Sequence, residues 1–113
     1  MIAVALAFLA AGCSEPRSAA PGEAERGRLL LQQYGCGACH AIPGVPGANG
    51  NVGPPLDGVA RRVYLGGVLA NTPENMARFI RAPQRADPLT AMPDLGVEPG
   101  HARDMTAYLY GMR

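Results

Sequence analysis

Tryptophan and lysine are absent from this 113-residue chain, and only two Phe and four Tyr supply aromatic surface. Every basic residue is therefore Arg, and formal net charge is only +1. Without a basic, aromatic-rich stretch there is no case for a nucleic-acid interface. The near balance also excludes strong long-range steering by a field of one sign. No convincing strand pattern appears, which removes the βαβ context that a thioredoxin-like protein needs. The longest apolar stretch, Met1 to Gly12, is too short for a membrane span. What is plentiful is Gly (15) and Pro (11), which promise irregular loops. One domain is the limit for this length, and a chain so small buries a marginal core unless something staples it.

The staple is suggested by Cys36-Gly37-Ala38-Cys39-His40. C-x-x-C-H is the pattern of c-type haem attachment. Each sulfur adds to one haem vinyl group as a thioether, the short turn matches the spacing of the vinyls, and the adjacent His40 lies under the ring with a nitrogen for the iron. Two plainer readings are a zinc half-site and a dithiol redox pair. Zinc wants four ligands, and the remaining His and Cys are only His101 and Cys13. One covalent haem c is the reading that uses all three residues. A buried haem would supply the apolar mass the chain lacks, so the haem-free protein is expected to be largely unfolded.

Residues 1–13 read as an export signal, with Met1–Gly12 as its apolar region. Leu9-Ala10-Ala11-Gly12-Cys13 resembles a bacterial lipoprotein cleavage site whose Cys becomes lipidated; the alternative is an ordinary cleaved signal peptide. Either way the chain is expected on the periplasmic side, where c-type haem is attached, and several acyl chains on Cys13 would hold it to a membrane. Residues 14–22 (SEPRSAAPG) carry no apolar face and read as a flexible tether with a reach of about 15–20 Å. Residues 23–113 form the domain.

Three helices are expected. The first spans Glu23 to Tyr34, with Gly27, Leu30, Leu31 and Tyr34 on one face and Gly35 as its stop. The second spans Pro73 to Arg81, capped by Thr72 or Asn71, with Met76, Phe79 and Ile80 on one face and Pro83 beyond its end. The third spans Pro99 to Met112, with Met105, Tyr108, Leu109 and Met112 as its stripe. Residues 43–55 and 82–99 read as irregular loops. An iron that only carries electrons needs a second axial ligand. Met92, in a Pro-stiffened loop and off every helical stripe, is the choice; Met76, Met105 and Met112 read as core filler. His101 is the rival ligand, otherwise a solvated first-turn residue, and an open site is the third possibility.

In their order, GCGACH at 35–40, GPPLDG at 53–58, NTPEN at 71–75, MPDLG at 92–96 and AYLYGM at 107–112 resemble the class I cytochromes c, and especially the cytochrome c domains fused to subunit II of haem–copper oxidases. The resemblance implies an all-α cytochrome c fold, three main helices and irregular loops around one covalent haem. It implies that the Pro54 carbonyl engages the far nitrogen of His40. It implies a propionate contact for Arg62, whose plainer reading is a solvated pair with Arg61, and one for Asn71, whose plainer reading is a helix cap. It places Phe79 beside the Met92 ligand, and Gly27 and Tyr108 at a close crossing of first and last helices.

The function that follows is outer-sphere electron transfer with His40/Met92 ligation and no small-molecule substrate, in an exported respiratory chain that feeds a terminal oxidase. The protein is then not an enzyme. Two alternatives stay open: a haem subunit of a periplasmic dehydrogenase complex, and a haem gas or redox sensor.

Overall fold

The computed structural model describes residues 22–112. The apolar leader, Cys13 and the spacer up to Pro21 lie outside the described residues. Four α-helices, all within that range, organise the chain: α1 (Ala24–Gln33), α2 (Pro73–Arg81), α3 (Pro83–Ala86) and α4 (Pro99–Gly111). A two-stranded antiparallel hairpin, β1 (Tyr64–Leu65) and β2 (Leu69–Ala70), precedes α2.

The helix ends follow from local chemistry. The Glu23 carboxylate accepts from the N–H groups of Glu25 (3.3 Å) and Arg26 (2.6 Å), satisfying two donors that the first turn of α1 leaves over. Thr72 Oγ1 accepts from Asn75 N–H (3.1 Å), so Thr72, not Asn71, caps α2, and Pro73 occupies its first turn. Pro99 opens α4 in the same way.

The expected faces are the buried ones. Gly27, Leu30 and Leu31 of α1 are buried, with Tyr34 half-buried. Met76 and Ile80 of α2 are buried, with Phe79 half-buried. In α4, Ala102, Met105, Ala107 and Leu109 are buried, Tyr108 and Met112 half-buried. Ile42, Val45, Ala48, Val59, Leu65 and Val97 complete the core from the loops. α1 and α4 make the principal helix–helix contact. They approach so closely that a Cβ at Gly27 would collide with the Asp104 carbonyl. Gly27 therefore meets the α4 backbone at Asp104, while Tyr108, the partner expected for it, reaches the 43–44 loop and donates its hydroxyl to the Pro43 carbonyl.

Two elements depart from the sequence expectation. Residues 82–99 are not wholly irregular, because α3 occupies Pro83–Ala86. The hairpin was not foreseen either. Its turn, Leu65–Val68, closes with Val68 N–H donating to the Leu65 carbonyl (3.0 Å), and both central residues, Gly66 (φ 56°) and Gly67 (φ 74°), hold the positive φ that such turns require. Two residues per strand are too few to show alternation, so Gly-Gly between apolar pairs was the only signal.

Candidate functional site

Two residues past the end of α1, Gly35 turns the chain into a short 3-10 turn, Cys36–Ala38. The Cys36 carbonyl accepts from both Cys39 N–H (3.2 Å) and His40 N–H (3.0 Å). One turn thus presents two half-buried thiols and an imidazole. Neither thiol is in a disulfide. Burial pushes the Cys36 thiol up; a backbone hydrogen bond pulls the other way, and the nearby Cys39 adds to the rise. A dithiol redox pair is ordinarily activated by a lowered thiol, and the burial of Cys36 works in the opposite direction. Among the described residues no three His, Cys, Asp or Glu side chains converge as a metal cluster would require.

The loop at 41–56 clasps this turn through the main chain. Gly50 N–H donates to the Gly37 carbonyl (3.0 Å), Gly53 N–H to Cys39 (2.8 Å) and Leu56 N–H to Ala41 (2.9 Å). His40 Nδ1 lies 2.7 Å from the Pro54 carbonyl oxygen. A carbonyl can only accept, so the proton sits on Nδ1. In the neutral ring Nε2 then carries a lone pair, which suits it to bind a metal. The imidazole also lies against Gly53, where a Cβ would overlap Cε1. The loop thus fixes both the tautomer and the plane of the ring.

The carbonyl of the second proline, Pro55, accepts from Arg62 Nη2, and Arg62 is half-buried. It is therefore docked on the GPP loop, not solvated as one of a pair. The Asn71 amide donates to the Val59 carbonyl (2.8 Å) and the Arg62 carbonyl (2.7 Å), and its oxygen accepts from the Tyr110 hydroxyl. Both N–H bonds of that amide are spent on protein carbonyls, which ties the end of α4 to the loop after the GPP segment. Burial raises the pKa of the Tyr110 phenol, and the charge of Glu74 adds to the rise.

Met92 is half-buried in an extended stretch held from both sides: its N–H donates to Thr90 Oγ1 (3.2 Å) and its carbonyl accepts from Gln84 Nε2 (2.7 Å). α3 thus supplies the residue that steadies the Met92 loop. The Phe79 ring packs against the Gly66 turn of the hairpin. His101 is not a freely solvated side chain: its Nδ1 shares a hydrogen bond with the Tyr34 hydroxyl (2.8 Å), and the two rings meet edge to face at 5.8 Å. Tyr34 lies two residues before Cys36, so this contact locks the end of α1 to the first turn of α4.

Sequence reasoning missed Asp104. Its carboxylate, 3% exposed, accepts from Glu23 N–H (2.8 Å) and Arg26 Nε (2.6 Å) and bolts the two ends of the domain together. An Asp inside an apolar helical stripe was the available signal. Tyr110, Gln84 and Gly53 carried none, because each matters through a partner distant in sequence or through mere lack of a side chain.

No family model matches the chain. Over 93 residues, 80% of its length, it is 31% identical to the protein named cytochrome c oxidase subunit 2 of Alkalihalophilus pseudofirmus. The matched stretch spans 26% of that protein, so the chain corresponds to about a quarter of its relative. The likeness points to a cytochrome-related domain and is consistent with a respiratory electron-transfer role.

Proposed function

We propose that residues 23–113 are a class I c-type cytochrome domain that carries one haem and passes electrons to a redox partner, with a terminal oxidase as the acceptor. The observation that carries this reading is the hydrogen bond from His40 Nδ1 to the Pro54 carbonyl, made by the residue that directly follows the C-x-x-C pair. The donor set fits such a group. Two thiols held on one turn can become thioethers, and a Nδ1-protonated imidazole offers Nε2 to iron. Cys36 and Cys39 would hold the ring covalently, His40 and Met92 would cap the metal, and Arg62 and Phe79 would line the edge. Haem bound there supplies a one-electron ferrous–ferric couple.

The chain's own part is to position. The Pro54 carbonyl accepts the hydrogen bond from His40 Nδ1–H and so leaves Nε2 as the nitrogen that would meet a metal. Thr90 and Gln84 hold the Met92 backbone, which limits how far the loop that carries its thioether can wander. Were His40 and Met92 both to hold the metal, small molecules would be kept from it and only charge would be exchanged. Among the described residues no helix is long and apolar enough to cross a membrane. Retention at a membrane, on the periplasmic side, falls to a lipidated Cys13, and tethering raises the effective concentration of a membrane-embedded partner.

The test is export with the c-haem maturation machinery, followed by denaturation and acid–acetone extraction. Colour that stays on the polypeptide, and is lost in Cys36→Ala/Cys39→Ala, is the expected result; colour that extracts completely refutes the proposal. Met92→Ala should abolish the ferric sulfur-to-iron charge-transfer band. Rapid, complete carbon monoxide binding by the ferrous wild type would instead favour the sensor. Co-purification in a fixed complex after detergent extraction would favour the dehydrogenase subunit.

A further inference from the structure

Away from Cys36 and His40, a groove of about 360 Å³ runs between α2 and α4, lined by Glu74, Arg78, Arg81, Arg103 and Thr106, with Pro73 and Pro99 at the helix starts. Arg78, Arg81 and Arg103 are exposed, and none forms an ion pair among the described residues. Arg78 and Arg81 are one turn apart on α2, and Arg103 faces the same groove from α4. Thr106 is 2% exposed, and its hydroxyl is the one buried side-chain polar atom among the described residues that has no hydrogen-bond partner. A buried hydroxyl left unpaired is unfavourable. That residue underlies the wall of a groove that holds three unpaired guanidinium groups, but the hydroxyl itself is sealed from the groove, which leaves the arginines to define it.

We propose that this groove binds a phosphate-bearing anion. Three guanidinium forks from two helices suit a tetrahedral group with several oxygen faces better than a planar carboxylate, which one fork can satisfy. Glu74 is the one carboxylate in the lining and opposes the ligand's charge, so it weakens the site. Two sources share this chemistry, a free phosphate compound and the headgroup of an anionic lipid. The second gains from chain placement: the segment read as a membrane tether joins the domain at Gly22, whose backbone packs on the Arg103 carbonyl. The site is independent of the haem proposal.

The test uses the full-length chain as purified, with Cys13→Ser so that no acyl group contributes. Thermal unfolding is compared in inorganic phosphate and in chloride at matched ionic strength, since a ligand that binds only the folded state raises Tm. Co-sedimentation is compared for phosphatidylglycerol and phosphatidylcholine vesicles. A Tm rise specific to phosphate assigns a free anion. A preference of about tenfold for phosphatidylglycerol alone assigns the headgroup. Either preference should vanish in R78Q/R81Q/R103Q, which changes only exposed side chains, and should strengthen in Glu74→Gln. No preference for phosphate or phosphatidylglycerol, or a preference that survives in the triple variant, overturns the proposal.

Discussion

Where α1 crosses α4, side chains are buried among side chains: Leu30 and Leu31 share a core with Met105 and Leu109, and Asp104 seals the edge with two hydrogen bonds. Around His40 the chain is held by its own backbone, through Gly50 to Gly37, Gly53 to Cys39, Leu56 to Ala41 and the Pro54 carbonyl. Stability concentrates in the first region and chemical positioning in the second. A close helix crossing tolerates no added atom but presents no free donor. A loop of glycines and prolines lends the core Ile42, Val45 and Ala48, and its backbone also brings a carbonyl to the ring nitrogen that needs one.

The sharpest way to break this contrast is Gly27→Ala. The new methyl would meet the Asp104 backbone, which cannot rotate away, and a loss of about 3 kcal/mol is expected in urea unfolding. A loss under about 1 kcal/mol would mean that the crossing yields as readily as a loop. Next comes Asp104→Ala, at about 2 kcal/mol, because Glu23 N–H loses its partner. Arg26 is mostly solvated and adds little. Burial works against the Asp104 charge, but the hydrogen bonds from Arg26 and Glu23 and the positive charge of Arg26 outweigh it and hold the carboxyl below its ordinary value. A depressed native pKa adds stability that is fully present above the unfolded value, about 3.9, and is lost as pH falls through the native one. Wild-type stability should therefore be insensitive to this group from neutrality to about pH 4 and decline below it, with that part of the decline absent in Asp104→Ala.

Gly53→Ala probes the other region. A destabilisation of only about 1 kcal/mol is expected, because the loop can shift, but the downfield proton resonance of His40 Nδ1 should move or disappear. An unmoved resonance would show that the ring is held from elsewhere. The smallest effect belongs to Thr72→Ala, about 1 kcal/mol or less for a lost cap. A greater loss from Asn71→Ala than from Thr72→Ala would confirm that Asn71 acts as a bracket between α4 and the loop.

Much of this architecture was legible in the sequence, for a reason visible in its elements. α1, α2 and α4 announce themselves through apolar spacing and through Gly35, Pro73, Pro83 and Pro99, all short-range signals. α3 and the hairpin were missed because four residues and two pairs of residues are shorter than the periods that reveal them. At the site, Cys36, Cys39 and His40 were legible because their chemistry depends on adjacency. Arg62 and Asn71 were not fully so, since each finds its partners seven or more residues away.

The sequence by itself determined the C-x-x-C-H turn, the three long helices and the Gly/Pro-rich loops, because each is fixed by neighbours within a few residues. Only the tertiary structure decided which nitrogen of His40 is left bare, that Asp104 closes on Glu23 and Arg26 some eighty positions earlier, and that three arginines from two helices share one groove. Those facts depend on pairings between distant segments, which arise only when buried polar groups must find partners inside a packed interior.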